Sequence, residues 1–167
     1  GSFAMIEVLN QYFDCMADAI WEEGGEILKF MGDAMLVVFR LGETTSSGDA
    51  ARRAVRAARS ALQKLDELSQ RRVGEGQLPL RAGVAMHLGS VVYGNIGASS
   101  RLDFTVIGHS VNLVARIQHL TGRTDEPILF SREIAEHLEG DVTSVGTFDL
   151  KGVQDPVEVF KPAPPGK

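Results

Sequence analysis

The residues able to act on a polar or anionic substrate fall at a few places in the chain. Lys29 and Asp33 stand four apart in EILKFMGDAMLVVF, residues 26–39. Two runs rich in strand formers flank Gly32-Asp33, the pattern of a β-hairpin with a two-residue turn. Gly32 takes positive φ without steric cost, which suits a type II′ turn. The tip then presents Asp33, with Lys29 at the edge of the same turn. A carboxylate and an ammonium on stiff strands can contact metal and substrate. A solvated turn aspartate is the competing reading, because Asp favours turns in any case. Asn112 and Arg116 are also four apart, on an expected helix, so they project from one face. A plain surface pair is the alternative there. His87, near the end of an expected strand, offers a base or a ligand. No second His or Cys lies at ligand spacing, so a packed or hydrogen-bonded structural histidine is expected.

The elements that must position these groups follow from periodicity. Ile6, Leu9, Phe13, Met16 and Ile20 recur every three or four residues, which predicts an amphipathic helix from Ile6 to about Glu23. Gly24-Gly25 ends it and feeds the hairpin. After the polar loop 42–48, a second helix is expected from Asp49 to Arg71, burying Val55, Leu62, Leu65 and Leu68 with help from alanines. Arg52, Arg53, Arg56 and Arg59 cluster on its other side. A solvated helix face is expected there in preference to an acidic partner. LPLRAGVAMHLG and SVVYGNIGA, residues 78–98, read as two strands joined near Leu88-Gly89-Ser90. A short strand then reaches Ile107, Gly108 breaks it, and a helix is expected from His109 to Leu120. Leu113, Val114, Ile117 and Leu120 give that helix an apolar face. The last third predicts a strand at 128–130, a short helix from Ser131 that includes Glu133, and strands around Val145–Leu150 and Val157–Phe160, with LKG at their turn. Residues 1–4 read as an expression scar, 5–161 as one domain and 162–167 as a flexible tail. Helices alternate with strands and hairpins, so the class is α+β with a mixed or antiparallel sheet.

A chain of 167 residues has room for one sizeable core. The net charge of −5 gives no electrostatic reason to expect nucleic acid or an acidic membrane as the main partner. Cys15 is the one cysteine, so neither an intrachain disulfide nor a cysteine-rich zinc site can form. No apolar run approaches membrane-spanning length and no signal-peptide pattern opens the chain. A cytoplasmic location is expected, within a longer parent that could itself be membrane-anchored and carry regulatory domains.

The phrases GEILKFMGDAMLVVF, LRAGVAMHLGSVVYGNIGA, FTVIGHSVNLVARIQHLTG and FDLKGVQDPVEVFK, in this order, resemble the class III nucleotide cyclase catalytic domain. The resemblance spans nearly all of Ile6 to Phe160. It implies a ferredoxin-like βαββαβ core with extra strands. It also implies homodimers paired head to tail, with active sites in the interface. Lys29 matches the lysine that recognises adenine, where guanylyl cyclases characteristically have glutamate. Asp33 matches the second of two metal-binding aspartates, which implies Mg²⁺ or Mn²⁺. Thr105 stands where many members have an aspartate partner to that lysine; threonine there resembles a bacterial adenylyl cyclase subgroup often associated with bicarbonate. Asn112 matches the asparagine that orients the ribose, Arg116 the arginine that stabilises the transition state, and Lys151 the lysine on the terminal phosphates. The implied reaction converts ATP to 3′,5′-cyclic AMP and pyrophosphate in signal transduction.

One departure bears on activity. The family places its first metal aspartate on a strand upstream of the first helix, in a phrase like F-x-D, and this chain has no such strand. Asp14 and Asp18 lie on the amphipathic helix, outside that context. The first strand is therefore expected to be missing and the chain as given to be inactive. Two rivals remain: a non-catalytic nucleotide-binding or dimerisation module of the same fold, and a guanylyl cyclase, which Lys29 disfavours.

Overall fold

The computed structural model describes residues 2–98, 101–138, 140 and 142–164, with residues 2, 98 and 101–104 described by backbone alone. Gly1 of the expected scar and residues 165–167 of the expected tail lie outside the described residues. The chain divides into two units, 1–82 and 83–167.

The first unit is a hairpin with two helices. α1 spans Ser2–Glu22, so residues 2–4 continue the helix expected from Ile6. It closes where the Gly25 amide donates to the Ile20 carbonyl at 2.9 Å. β1 (Glu26–Met31) and β2 (Ala34–Val38) pair antiparallel, with Met31 opposite Ala34. Gly32 takes φ +62° while Asp33 does not leave negative φ, the φ pattern of the expected turn. α2 spans Ser47–Gly74, and the Ser46 hydroxyl caps it by accepting from the Asp49 amide. Met16 and Ala19 of α1 form a core with Ala61 of α2, against which Tyr12 and Met35 pack.

The buried stripe of α2 corrects the sequence expectation. Ala50, Ala51, Ala57, Ala58, Ala61, Leu65 and Ser69 are buried, whereas Val55, Leu62 and Leu68 are only half-buried. Alanine has no atoms beyond Cβ, so it lets two helix backbones approach and leaves larger side chains at the margin of the contact. On the other side, Arg52 pairs with Asp49 at 2.6 Å and Arg56 with Glu23 at 3.2 Å. These exposed pairs add little to stability, and the arginine side is the charged surface expected.

The second unit is a mixed sheet covered by a helix, with a separate hairpin. β3 (Val84–Met86), β6 (Ile128–Ser131), β8 (Val157–Pro162) and β7 (Val142–Phe148) lie side by side in that order. β3 and β6 run parallel and the other pairs antiparallel. β4 (Val92–Ala98) pairs with β5 (Arg101–Ile107) in a two-stranded hairpin of its own. The two strands read from residues 78–98 therefore exist but do not pair with each other. β3 takes the parallel partner β6, and 88–91 leads out of that sheet. A parallel partner needs a crossover, and α3 (His109–Thr124) supplies it. α3 outruns its expected end at Leu120, passes Gly122 and stops at Asp125, which takes the left-handed conformation with φ +56°. The core gathers Leu113, Ile117 and Leu120 of α3, Leu129 of β6, Val159 of β8, and Leu150 from the connection between β7 and β8. α4 (Arg132–Ala135) follows β6 directly. β8 runs through Pro162, opposite Val142, so the sheet takes in the first residue expected to be tail.

Among the described residues β2 pairs only with β1, and β3 only with β6. No described helix is long and apolar enough to cross a membrane.

Candidate active site

In the first unit the hairpin holds Lys29 and Asp33. A bulge between Ile27 and Lys29 shifts the register, and Lys29 comes to stand opposite Leu36. Phe30 lies with its ring centroid 4.6 Å from that of Phe13, and Met35 opposite it joins the α1–α2 core. Side chains alternate along a strand. Lys29 therefore rises from the face that α1 does not cover, where it is half-buried. Asp33 is exposed at the tip. Tyr12 of α1 lies near enough to feel it: burial first, then the Asp33 charge, raises the Tyr12 phenol above its ordinary value. Tyr12 stands three after Leu9 and four before Met16, on the buried side of α1, and escaped the sequence reading because it was passed over there for its neighbour Phe13.

In the second unit Thr105 is half-buried on β5, opposite Gly94 of β4. Three residues on, Gly108 turns the chain into α3 with φ +144°, a conformation strained for any other residue. The Gly108 carbonyl accepts the Val111 and Asn112 amides at 3.2 and 3.4 Å and so starts the helix. Asn112 is exposed and Arg116 half-buried, one turn apart, while Leu113 and Ile117 sit in the core behind them. Lys151 is exposed in the β7–β8 connection. Its predecessor Leu150 is buried, and the Val153 amide closes the turn onto the Leu150 carbonyl at 3.0 Å. The core thus anchors both the helix that carries Asn112 and Arg116 and the turn that carries Lys151. Lys29 and Asp33 share one hairpin, and Asn112 and Arg116 share one helix. Thr105 and Lys151 stand on separate elements.

His87 is the hydrogen-bonded structural histidine expected. Its Nδ1 lies 2.8 Å from Ser131 Oγ and 3.6 Å from Glu133 Oε2. Burial, ahead of the opposing Glu133 charge, holds it below the ordinary value of 6.5. Ser131 and Glu133 were legible only as the start of α4. Their meeting with His87 depends on the parallel pairing of β3 with β6.

A divalent cation fits these residues only in part. Asp33 is one accessible oxygen donor, but among the described residues no group of three or more His, Cys, Asp or Glu could hold a metal. The donor set is short of what a two-metal centre requires.

Residues 2–161 match the family described as the adenylate and guanylate cyclase catalytic domain. The chain is 38% identical over 131 residues to an adenylate cyclase of Anabaena cylindrica, covering 78% of this chain but 25% of that relative's length. Among solved structures it is similar to the guanylyl cyclase Cya2, with 38% identity, a TM-score of 0.79, and coverage of 96% of this chain and 80% of that one. It is also similar to the adenylyl cyclase CyaB from P. aeruginosa, with 26% identity, a TM-score of 0.84, and coverage of 100% and 86%. The sheet-and-helix arrangement above is accordingly the ferredoxin-like cyclase core, and the chain belongs to the adenylate and guanylate cyclase catalytic domain family.

Proposed function

We propose that the chain is the catalytic domain of an adenylyl cyclase, which converts ATP to 3′,5′-cyclic AMP and pyrophosphate in signal transduction. The observation that carries this reading is the placement of Asn112 and Arg116 one turn apart on the outer side of α3, with Leu113 and Ile117 holding that helix in the core. Cyclisation needs the ribose 3′-hydroxyl held in line with the α-phosphorus, and an asparagine on a fixed helix supplies such orientation. Negative charge moves to the leaving pyrophosphate, and the Arg116 guanidinium and Lys151 ammonium are suited to stabilise it. Lys29 is a donor for the adenine N1 acceptor, whereas guanine presents a donor there. The Thr105 hydroxyl both accepts and donates, which makes it a less strict purine reader than a carboxylate. Asp33 would supply one carboxylate toward a Mg²⁺ or Mn²⁺, which when bound would neutralise phosphate charge.

Val92, Ile96 and Ile107 are exposed on the β4–β5 hairpin, and the register puts them on one face with Thr105. That apolar face supports a homodimer with Thr105 at the shared site. The lone carboxylate at the hairpin tip favours a second reading, a nucleotide-binding module without turnover. One assay separates the two: purified chain with Mn²⁺ and either ATP or GTP, measuring cyclic nucleotide. Because of that lone carboxylate we expect little or no product from the 167-residue chain. We expect cyclic AMP from a version lengthened upstream by a strand with the F-x-D phrase. Binding without product in both versions refutes the enzyme. Preference for GTP refutes the choice of base.

A further inference from the structure

The His87 imidazole closes the end of β3, and its side chain is 9% exposed. Ser131 occupies the N-cap position of α4, where a serine hydroxyl ordinarily accepts a helix amide. Here it makes no such bond and lies 2.8 Å from His87 Nδ1 instead. The other edge of the ring reaches Gly89. A Cβ on Gly89 would stand 3.1 Å from His87 Nε2 and 2.1 Å from Ser110 Oγ. Gly89 is thus held between the imidazole and Ser110, in the first turn of α3. Asn112 follows in the same turn. Gly89 is itself exposed and puts no side chain between the ring and Ser110, so a shift of the ring is passed to the Gly89 backbone beside the helix start.

The same geometry excludes a hydrolytic Ser-His-Glu triad. Ser131 and Glu133 face the same ring nitrogen, whereas a triad needs nucleophile and carboxylate at opposite nitrogens. Ser131 is also 1% exposed, beyond a substrate's reach.

We propose that His87 is a positioning residue for the nucleotide site: clamped by Ser131, it presses through Gly89 on Ser110 and so fixes the first turn of α3 and the Asn112 it carries. The proposal rests on the reading of Asn112 as the group that orients the ribose. Two charged groups face the ring, Glu133 from α4 and His109 from α3, with the Ser131 hydroxyl from β6. With Nδ1–H donating to Ser131, the tautomer that the Glu133 carboxylate favours, a second proton enters at Nε2. That edge lies against Gly89 and the positive end of α3, so the added charge strains the contact that holds the helix start. The Asn112 turn therefore loosens as pH falls through the His87 midpoint.

The test is NMR of the full chain from about pH 8 to about pH 5, which brackets histidine titration. A His109→Asn background removes the exposed neighbouring imidazole. The Ser110 amide and the Asn112 carboxamide are expected to titrate with the midpoint of the His87 ring. His87→Gln has the reach of the ring but cannot titrate. It should abolish that titration and retain the neutral-pH positions, whereas His87→Ala should displace them. Resonances that ignore the His87 midpoint, or titrate unchanged in His87→Gln, overturn the proposal. Should His87→Ala not fold, Ser131→Ala removes the clamp and retains the ring. The same displacement supports the proposal, and none overturns it. These readouts need no turnover. Coupled titration in a chain that never cyclises a nucleotide therefore supports the His87–α3 link and overturns only the function proposed above.

Discussion

Lys29, Arg116 and His87 each differ from their surroundings in one measurable respect. Lys29 stands on the face of the hairpin away from α1, so its charge can be reversed without disturbing the Phe13–Phe30 contact. In a version with turnover, Lys29→Glu should lower the ratio of ATP to GTP turnover more than it lowers stability. An unchanged ratio refutes Lys29 as the base reader. Arg116→Ala should lower kcat with little change in KM, by about 2–4 kcal/mol of barrier, the usual loss for one transition-state donor. A rise in KM with kcat intact places Arg116 on the ground-state nucleotide. For His87 the sign of the pH effect follows from burial. The folded chain binds its proton less readily than the unfolded chain, whose value is near 6.5. The contribution to stability is thus complete above that value and is lost as pH falls through the lower folded midpoint. Urea denaturation at several pH values should show this decline, and His87→Gln should flatten it.

The helices and strands show where sequence periodicity suffices and where it does not. Gly32-Asp33 between two apolar runs was enough to place β1, β2 and their turn, because the signal is local. The buried side of α2 was misjudged, because side-chain size suggested Val55, Leu62 and Leu68 while the contact with α1 selects alanines. Ala61→Leu should therefore overpack that contact and cost about 1–3 kcal/mol. Ile117→Ala, at a fully buried position of α3, should cost about 2–5 kcal/mol through the cavity it leaves. Thermal or urea unfolding checks both. The partner of β3 was not legible either. Strand pairing across a crossover depends on residues more than forty positions away, Val84 with Ile128, and no local pattern encodes it.

For the whole molecule, Lys29, Asp33, Thr105, Asn112, Arg116 and Lys151 were named as candidates through four ordered phrases rather than through spacing alone. Tyr12, Ser131 and Ser110 were not, since each matters only through a neighbour distant in sequence. If the exposed face of Val92, Ile96 and Ile107 is covered by a second chain, ultracentrifugation should show mass increasing with concentration, and Ile96→Asp should hold the chain monomeric. A variant that still dimerises puts the interface elsewhere. Gly108 bears on how such a protein can change over generations. Its φ of +144° is joined to a crowded approach, where an added Cβ would meet the Ser90 carbonyl at 3.3 Å, so substitution there is penalised twice. Any residue but glycine is therefore disfavoured at the joint between the strand carrying Thr105 and the helix carrying Asn112. Were Thr105 to read the base as proposed, a change of base preference would be expected to arise from side chains on either side of this joint, and sequencing variants selected for the other nucleotide, with Gly108 retained in them, would check it.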